Sequence, residues 1–274
     1  MKIALMDSGI GLLAAAAAMR RLRPDADLVL SCDPDGMPWG PRTPQDLTGR
    51  ALAVARAAAT HRPDALIVAC NTASVHALPA LRAALEPAIP VIGTVPAIKP
   101  AAAAGGRVAI WATPATTGSP YQRGLIRDFA DGARVTEVPC PGLADAVEAG
   151  DEAAVVRAVA AAAELTPPDV TDVVLGCTHY ELVEAPVRAA LDRRTGGGAY
   201  VFHGSAEPVA VQALRRLGAR PEPGLPHTGS LTVLLSGRPG TLPAPALGYA
   251  EGRLLAGPSA GAVVGETVGG SLQG

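Results

Sequence analysis

Short apolar runs alternate with alanine- and leucine-rich segments along most of the chain, and the two patterns predict strands and helices in turn. Strands are predicted at residues 2–6, 26–32, 65–69, 91–93, 107–111, 135–138 and 172–175. Helices are predicted at residues 12–23, 44–60, 78–85, 121–130, 143–149, 152–165 and 183–191. This alternation is typical of parallel sheets with helices on both faces. We therefore predict an α/β protein.

The C-terminal part of the sequence differs from the rest. From residue 239 the chain is rich in Gly, Ala and Pro and has no clear helical or strand periodicity. We therefore expect residues 241–274 to form a loose tail.

Length and charge narrow the range of partners. A chain of 274 residues can form two medium-sized α/β domains. The net charge is -2, so no basic field favours nucleic acid, and a small molecule is the expected partner. The apolar segments are too short to span a membrane, and the run before Asp7 is too short for a signal peptide. A cytoplasmic protein is expected.

Cysteine and lysine usage narrows the chemistry. The four cysteines, Cys32, Cys70, Cys140 and Cys177, are expected to be free thiols in a reducing compartment, and their spacing lacks the paired pattern of a zinc site. Lysine occurs only at Lys2 and Lys99, and neither has the context of a pyridoxal Schiff base. We therefore expect a functional site without metal or cofactor. Cys32 and Cys140 are expected to be packing residues of the core.

Two segments of the chain share one pattern. Each begins with Asp and a β-branched apolar run, and each ends in a cysteine followed by two hydrogen-bonding residues, Cys70-Asn71-Thr72 and Cys177-Thr178-His179. We expect both cysteines at the carboxyl end of a strand and the start of a helix. Ligands bind at such positions in open α/β sheets, and helix amides there attract anions and lower thiol pKa values. Two equivalent thiols indicate chemistry that needs one group on each side of a substrate.

Four segments expected at strand ends carry a family resemblance: Asp7-Ser8-Gly9, Pro38-Trp39-Gly40, Cys70-Asn71-Thr72-Ala73-Ser74 and Leu175-Gly176-Cys177-Thr178-His179-Tyr180. In this order the sequence resembles the cofactor-independent Asp/Glu racemase superfamily, and glutamate racemases within it, over residues 2–235. Residues 95–101 and 147–150 are also similar to family segments.

The resemblance implies a two-domain architecture. It implies two pseudo-symmetric α/β domains with the active site between them, residues 1–94 plus 205–240 forming the first and residues 95–204 the second. It further implies a homodimer that interconverts L- and D-glutamate and supplies D-glutamate for peptidoglycan.

The resemblance also implies roles for individual residues. Cys70 and Cys177 would act as the two bases on opposite faces of the substrate Cα, Cys70 on D-glutamate and Cys177 on L-glutamate. Asp7 would assist Cys70, and His179 with Glu148 would assist Cys177. The residues implied for substrate binding are Asn71, Thr72 and Thr178 at the α-carboxylate and ammonium, Ser8, Pro38, Trp39 and Gly40 around the side-chain carboxylate, and Thr113 and Thr116.

The sequence departs from the family pattern at three positions. Leu12 stands where a glycine is usual, Trp39 replaces a tyrosine, and Glu181 replaces a proline. Because Leu12 and Trp39 are expected beside the pocket for the side-chain carboxylate, the same chemistry on another acidic amino acid or a specialised-metabolite intermediate stays open. A carboxylate-binding protein without turnover and a single-cysteine decarboxylase are disfavoured, since neither needs two thiols.

Overall fold

The computed structural model describes residues 1–103, 105–197 and 200–257. Within them the strands are β1 (Lys2–Asp7), β2 (Asp27–Cys32), β3 (Ala65–Val68), β4 (Val91–Gly93), β5 (Arg107–Ala112), β6 (Arg134–Pro139), β7 (Asp172–Leu175), β8 (Val201–His203), β9 (Leu231–Leu235) and β10 (Arg238–Gly240). The α-helices are α1 (Leu13–Leu22), α2 (Pro44–Ala59), α3 (Asn71–His76), α4 (Leu78–Leu85), α5 (Ile98–Ala102), α6 (Pro120–Phe129), α7 (Leu143–Ala149), α8 (Glu152–Leu165), α9 (Glu184–Thr195), α10 (Ala206–Arg216) and α11 (Ala250–Ala256). Three 3₁₀ helices cover Ile10–Leu12, Thr178–Val183 and Ala244–Gly248.

The strands form two sheets. The first has the order β10-β9-β2-β1-β3-β4 and the second has the order β6-β5-β7-β8. All described pairings are parallel except that of β10 with β9, which is an antiparallel edge. The predicted α/β class with two helix-flanked parallel sheets is confirmed. Strands β8, β9 and β10 were not predicted, and β10 adds the antiparallel edge.

Helices cover both faces of the first sheet. Ile3 and Leu5 of β1 face an apolar layer with α1 and α10, whereas Ala4 and Met6 face the layer that contains α2. This alternation follows from the two-residue period of a strand. The sheet is buried on both sides, as parallel sheets require.

The second sheet has the same organisation. Trp111 and Leu175 lie in an apolar layer with α7, α8 and α9, and Ile110 and Val174 lie in the opposite layer with α5. Both sheets therefore have helices packed against each of their two faces.

After β8 the chain returns to the first sheet. Helix α10 packs against α1, and β9 then pairs with β2 in register, Leu28 opposite Leu231. The first sheet thus takes its strands from residues 2–93 and 231–240, and the second from residues 107–203.

The expectation of a loose tail is wrong for residues 241–257. These residues contain the 3₁₀ helix Ala244–Gly248 and α11, and α11 packs against α1. Ala246 and Leu255 are buried in the apolar layer of the first sheet. The Gly, Ala and Pro residues of this segment gave no clear hydrophobic periodicity in the sequence. Small side chains nevertheless allow α11 to approach α1 closely. Residues 258–274 lie outside the described part of the chain.

Within the described ranges, no helix is both long and apolar enough to cross a membrane.

Candidate active site

Cys70 and Cys177 occupy equivalent positions in the two sheets. Cys70 follows β3 and precedes α3, and Cys177 follows β7 and precedes the 3₁₀ helix Thr178–Val183. Both have an extended backbone, with φ and ψ of -145° and 118° at Cys70 and -133° and 136° at Cys177. The strand-end position predicted for both cysteines is therefore correct.

The two cysteine motifs are joined directly. The Asn71 Nδ2 atom donates a hydrogen bond to the backbone oxygen of Gly176 at 2.7 Å. Gly176 itself packs closely on β5, since a Cβ atom at this position would lie 2.7 Å from the Trp111 carbonyl oxygen. The residue after Cys70 thus holds the residue before Cys177, and the carboxyl ends of β3 and β7 face each other.

Three polar side chains surround Gly11. A Cβ atom built on Gly11 would lie 2.5 Å from His179 Nδ1, 2.5 Å from Thr178 Oγ1 and 2.6 Å from Asp7 Oδ2. Only glycine leaves room for this approach between the first loop and the Cys177 loop. The neighbouring Leu12, where the family pattern has glycine, turns into the apolar layer with α1 and leaves the polar group undisturbed.

Glu148 connects His179 to the first sheet. Its Oε2 atom lies 2.8 Å from His179 Nε2 and accepts a hydrogen bond from the backbone N–H of Ile10 at 2.8 Å. The other ring nitrogen, Nδ1, lies 3.8 Å from Cys177 Sγ. A carboxylate on Nε2 fixes the ring so that Nδ1 faces the sulfur.

Burial and neighbouring charges set the protonation of the groups around Cys70. Burial raises the pKa of Asp7, although the charge of His179 and the nearby Cys70 thiol act in the opposite direction. Burial also raises the pKa of Cys70 well above its usual value, and the carboxylate of Asp7 adds to this increase. Cys70 is therefore a neutral thiol at neutral pH in this structure.

His179 differs from the other buried groups. Burial alone lowers the pKa of His179, but its contacts with Cys177 and Glu148 outweigh burial and place the pKa well above the usual value. A protonated imidazole is therefore favoured beside Cys177.

Three buried acceptor atoms in this region have no hydrogen-bond partner among the described residues. They are Oδ1 and Oδ2 of Asp7 and Oδ1 of Asn71. Asp7 ends β1 and Asn71 follows β3, and these strands are neighbours. Buried acceptors without a partner are rare in proteins. These three oxygens could therefore accept hydrogen bonds from the N–H or O–H groups of a ligand.

The other residues expected to bind substrate lie at the carboxyl ends of strands. Ser8 follows β1 and is half-buried, and Thr72 lies in α3 and is half-buried. Thr113 and Thr116 follow β5, and their hydroxyl oxygens are 3.2 Å apart. These residues therefore lie at the carboxyl edge of the two sheets, where Cys70 and Cys177 also lie.

Trp39 requires a correction. Its side chain is only 1 % exposed, lies in the same apolar layer as Cys70, and donates its indole N–H to Asp33 Oδ2 at 3.0 Å. The indole N–H is therefore not free to bind a substrate carboxylate, because packing has turned this large ring into the core. Pro38 and Gly40 on either side are exposed.

Three residues outside the expected set contribute to this region. A Cβ atom on Gly9 would lie 2.6 Å from Met37 Sδ and would clash with Glu148, so Met37 reaches the loop that Glu148 contacts. Glu181, noted only as a departure from the family pattern, binds Ser205. Tyr249 donates to the carbonyl of Val147, and the available signal was a tyrosine within a stretch rich in Gly, Ala and Pro.

Cys32 and Cys140 are buried and protonated. Burial raises the pKa of both thiols, that of Cys140 to about 12. In the described ranges, no group of three or more His, Cys, Asp or Glu side chains could hold a metal ion.

Fold and site together define a class. Two helix-flanked parallel sheets, each with a cysteine at a strand end and an acidic or imidazole group nearby, define an α/β protein with a candidate site at those strand ends. The sequence pattern of the Asp/Glu/Hydantoin racemase family matches residues 11–204.

Relatives and solved structures give the same result. The chain is 38% identical over 194 residues to the glutamate racemase of Roseiflexus sp. (strain RS-1), covering 68% of this chain and 70% of that protein. It is 36% identical over 223 residues to that of Pseudomonas entomophila (strain L48), covering 80% and 82%. The crystal structure of Escherichia coli glutamate racemase in complex with L-glutamate and the activator UDP-MurNAc-Ala matches with a TM-score of 0.70 and 28% identity, covering 81% and 84%. The chain belongs to the Asp/Glu/Hydantoin racemase family and is a racemase.

Proposed function

We propose that the protein interconverts L- and D-glutamate by proton transfer at Cα between Cys70 and Cys177, without a cofactor. The observation that carries this proposal is the junction of the two cysteine motifs, where Asn71 binds the backbone oxygen of Gly176. Glutamate is proposed as the substrate because the relatives from Roseiflexus and Pseudomonas are glutamate racemases.

The reaction needs one base and one acid on opposite faces of Cα. On L-glutamate, the Cys177 thiolate removes the α-proton, and the electron pair of the broken C–H bond moves toward the α-carboxylate. The Cys70 thiol then delivers its proton to the other face, which leaves D-glutamate, a Cys70 thiolate and a Cys177 thiol. The D enantiomer reverses these steps.

The electrostatics support this division of roles. A protonated His179 beside Cys177 attracts negative charge onto that sulfur, and Glu148 holds the imidazole in place. The carboxylate of the buried Asp7 raises the pKa of Cys70 and so keeps Cys70 protonated in the resting state, and Asp7 can accept that proton when Cys70 is to act as the base on D-glutamate. The resting structure is thus prepared for the enantiomer that Cys177 deprotonates.

The unpaired acceptors support an amino-acid ligand. An ammonium group carries three N–H donors, and the two oxygens of Asp7 with Oδ1 of Asn71 are three buried acceptors. Thr72 and Thr178 would contact the α-carboxylate, and Ser8 and the backbone of Gly40 would contact the side-chain carboxylate. Thr113 and Thr116 lie on the second sheet's side of the ligand.

The biological setting belongs to the same proposal. The protein would act in the cytoplasm as a homodimer and would supply D-glutamate for peptidoglycan. These statements rest on the resemblance to glutamate racemases.

A second substrate is favoured by one observation. Because the Trp39 indole binds Asp33, the position that carries a tyrosine hydroxyl in the family pattern offers no side-chain donor to a ligand. Another acidic amino acid with the same two-thiol chemistry is therefore the alternative.

The test is α-proton exchange and racemisation in deuterated water, measured by NMR and chiral chromatography on L- and D-amino acids. Wild-type protein should racemise glutamate. Cys70→Ala and Cys177→Ala should each lose racemisation by at least about 10²- to 10⁴-fold. Any remaining exchange should be confined to L-glutamate in Cys70→Ala and to D-glutamate in Cys177→Ala.

The matched controls are Cys32→Ala and Cys140→Ala, which should retain racemisation. Near-normal racemisation by Cys70→Ala or Cys177→Ala would exclude the two-thiol mechanism. A wild-type protein inactive on glutamate and active on another acidic amino acid would establish the alternative substrate.

A further inference from the structure

The C-terminal segment, residues 241–257, has no part in the proposed reaction, yet it contacts both halves of the molecule. Helix α11 packs on α1, which covers the first sheet. The ring of Tyr249 packs against the apolar layer of the first sheet and also against that of the second. Tyr249 therefore lies where the two layers meet.

The hydroxyl of Tyr249 makes one specific contact. It donates a hydrogen bond to the backbone oxygen of Val147 at 2.7 Å, across 102 residues of sequence. Val147 lies in the last turn of α7, and its carbonyl oxygen also accepts the backbone N–H of Gly150 at 3.1 Å, so the Tyr249 hydroxyl is a second donor to the end of this helix. Pro245 supports the same turn, since a Cβ atom on Gly150 would lie 3.2 Å from Pro245 Cβ.

Helix α7 needs such support. It has seven residues, and helices this short are not stable without tertiary contacts. The residue after Val147 is Glu148, whose single Oε2 atom serves both Ile10 and His179. A small rotation of the last turn would move that oxygen away from one of them.

We propose that Tyr249 is a positioning residue for the reaction: its hydroxyl fixes the last turn of α7 and so aims Glu148 at His179 beside Cys177. The proposal rests on the proposed function for its kinetic consequence. It assigns a role in the Cys177 half of the reaction to a segment more than 60 residues further along the chain.

The consequence is asymmetric between the two proton transfers. Tyr249 acts through Glu148 and His179, which contacts Cys177, and it reaches Asp7 only through the charges of His179 and Glu148. The ratio of kcat/KM for the two enantiomers cannot change, because two enantiomers in water have an equilibrium constant of one. The asymmetry must therefore be measured in the primary deuterium isotope effects and in how kcat and KM divide.

The test is Tyr249→Phe, which removes only the hydroxyl. The matched control is Tyr200→Phe, since Tyr200 is a buried tyrosine beside the second sheet and its hydroxyl lies 2.8 Å from Thr195 Oγ1. Racemisation of L- and D-glutamate deuterated at Cα is followed in both directions. Alkylation of Cys177 by iodoacetamide is mapped by mass spectrometry between pH 6 and about 9.

Tyr249→Phe should lower kcat by roughly 10-fold, within the ~10²-fold that a 1 Å misplacement can cost. The isotope effect on deuterated L-glutamate should rise, and that on the D enantiomer should stay the same or fall. Alkylation of Cys177 near neutral pH should slow several-fold, because His179 Nδ1 would no longer lie beside the sulfur. Tyr200→Phe should match wild type in all three measurements.

The results separate the two proposals. A wild-type protein that does not racemise glutamate overturns the proposed function, and the alkylation rates then decide alone whether Tyr249 positions the Cys177 side. Unchanged isotope effects and unchanged Cys177 alkylation in Tyr249→Phe overturn the positioning role. A lower kcat with unchanged isotope effects and alkylation also overturns it, since that pattern reports only a loss of folded protein.

Discussion

Among individual residues, Asp7 shows how a group at the candidate site can lower the stability of the folded protein. Its carboxylate is fully buried and neither oxygen has a hydrogen-bond partner among the described residues. Burial raises the pKa of Asp7 above its usual value of 3.8, despite the opposing charge of His179. The folded state therefore binds the Asp7 proton more tightly than the unfolded state, and folding stability falls as pH rises through the interval between the two pKa values.

Asp7→Asn should therefore stabilise the protein and inactivate it. At pH 8 the free energy of unfolding should rise by about 1–3 kcal/mol, since the substitution removes a charge whose cost of burial exceeds the opposing effects of His179 and Cys70. Each kcal/mol corresponds to roughly 2–4 °C in Tm. Below about pH 4 the gain should disappear, because Asp7 is then protonated in both states.

Thermal unfolding measured by circular dichroism from pH 4 to about 8 tests this expectation, together with racemisation assays. The rate should fall by about 10²- to 10⁴-fold if Asp7 acts as the acid/base partner of Cys70. A variant less stable than wild type at pH 8 would show that Asp7 has a stabilising partner.

Glu181 shows at the scale of elements how the Cys177 loop is held. Its carboxylate accepts hydrogen bonds from the backbone N–H of Ser205 at 2.8 Å, from the Ser205 hydroxyl at 2.7 Å and from the backbone N–H of Ala206 at 3.2 Å. These donors lie at the beginning of α10, where backbone N–H groups have no partner within the helix. The 3₁₀ helix that carries His179 is therefore tied to a helix covering the first sheet.

Glu181→Ala should lower the free energy of unfolding by about 1–3 kcal/mol, because it leaves buried N–H groups without an acceptor. Glu184→Ala is the control three residues further on. The Glu184 side chain is 44% exposed and pairs with Arg188 in an i, i+4 arrangement that contributes about 0.5 kcal/mol or less. Urea unfolding of both variants gives the comparison, and equal losses would mean that Glu181 is not a significant tie.

At the scale of the whole molecule, the sheets are joined by contacts distant in sequence. Ile10 and Glu148 are separated by 138 residues, Asn71 and Gly176 by 105, and Val147 and Tyr249 by 102. The C-terminal segment adds Leu255 and Ala246 to the first layer, and Tyr249 to both. The segment therefore stabilises the arrangement of the two sheets as well as α1.

A chain ending at Pro243 should be less stable than a chain ending at Gly257. The shorter chain lacks Tyr249 and Leu255, and burying each of these side chains contributes about 1.5–3 kcal/mol. We expect a loss of roughly 3 kcal/mol or more in the free energy of unfolding, measured by urea titration. Equal midpoints for the two chains would show that residues 244–257 contribute no stability.

The local sequence was sufficient to predict the alternating elements and the two strand-end cysteines. β-Branched runs before Cys70 and Cys177, followed by helical patterns, are short-range signals, and the structure contains β3 and β7 in those places. The paired motifs also indicated the family, which the comparisons confirm. The domain boundaries and the individual roles of the site residues stay predictions.

Tertiary structure decided what depends on side-chain direction and on contacts distant in sequence. Trp39 turns its ring into the core and gives its N–H to Asp33, which no local pattern distinguishes from an orientation toward the site. The segment after residue 240 folds because α1 offers it an apolar surface, although its own small residues have no periodicity. Local sequence patterns were thus enough to predict where β3 and β7 end and that Cys70 and Cys177 lie there. Only the packing of the two sheets determined which groups surround those thiols, because burial and hydrogen bonding depend on residues more than 100 positions apart.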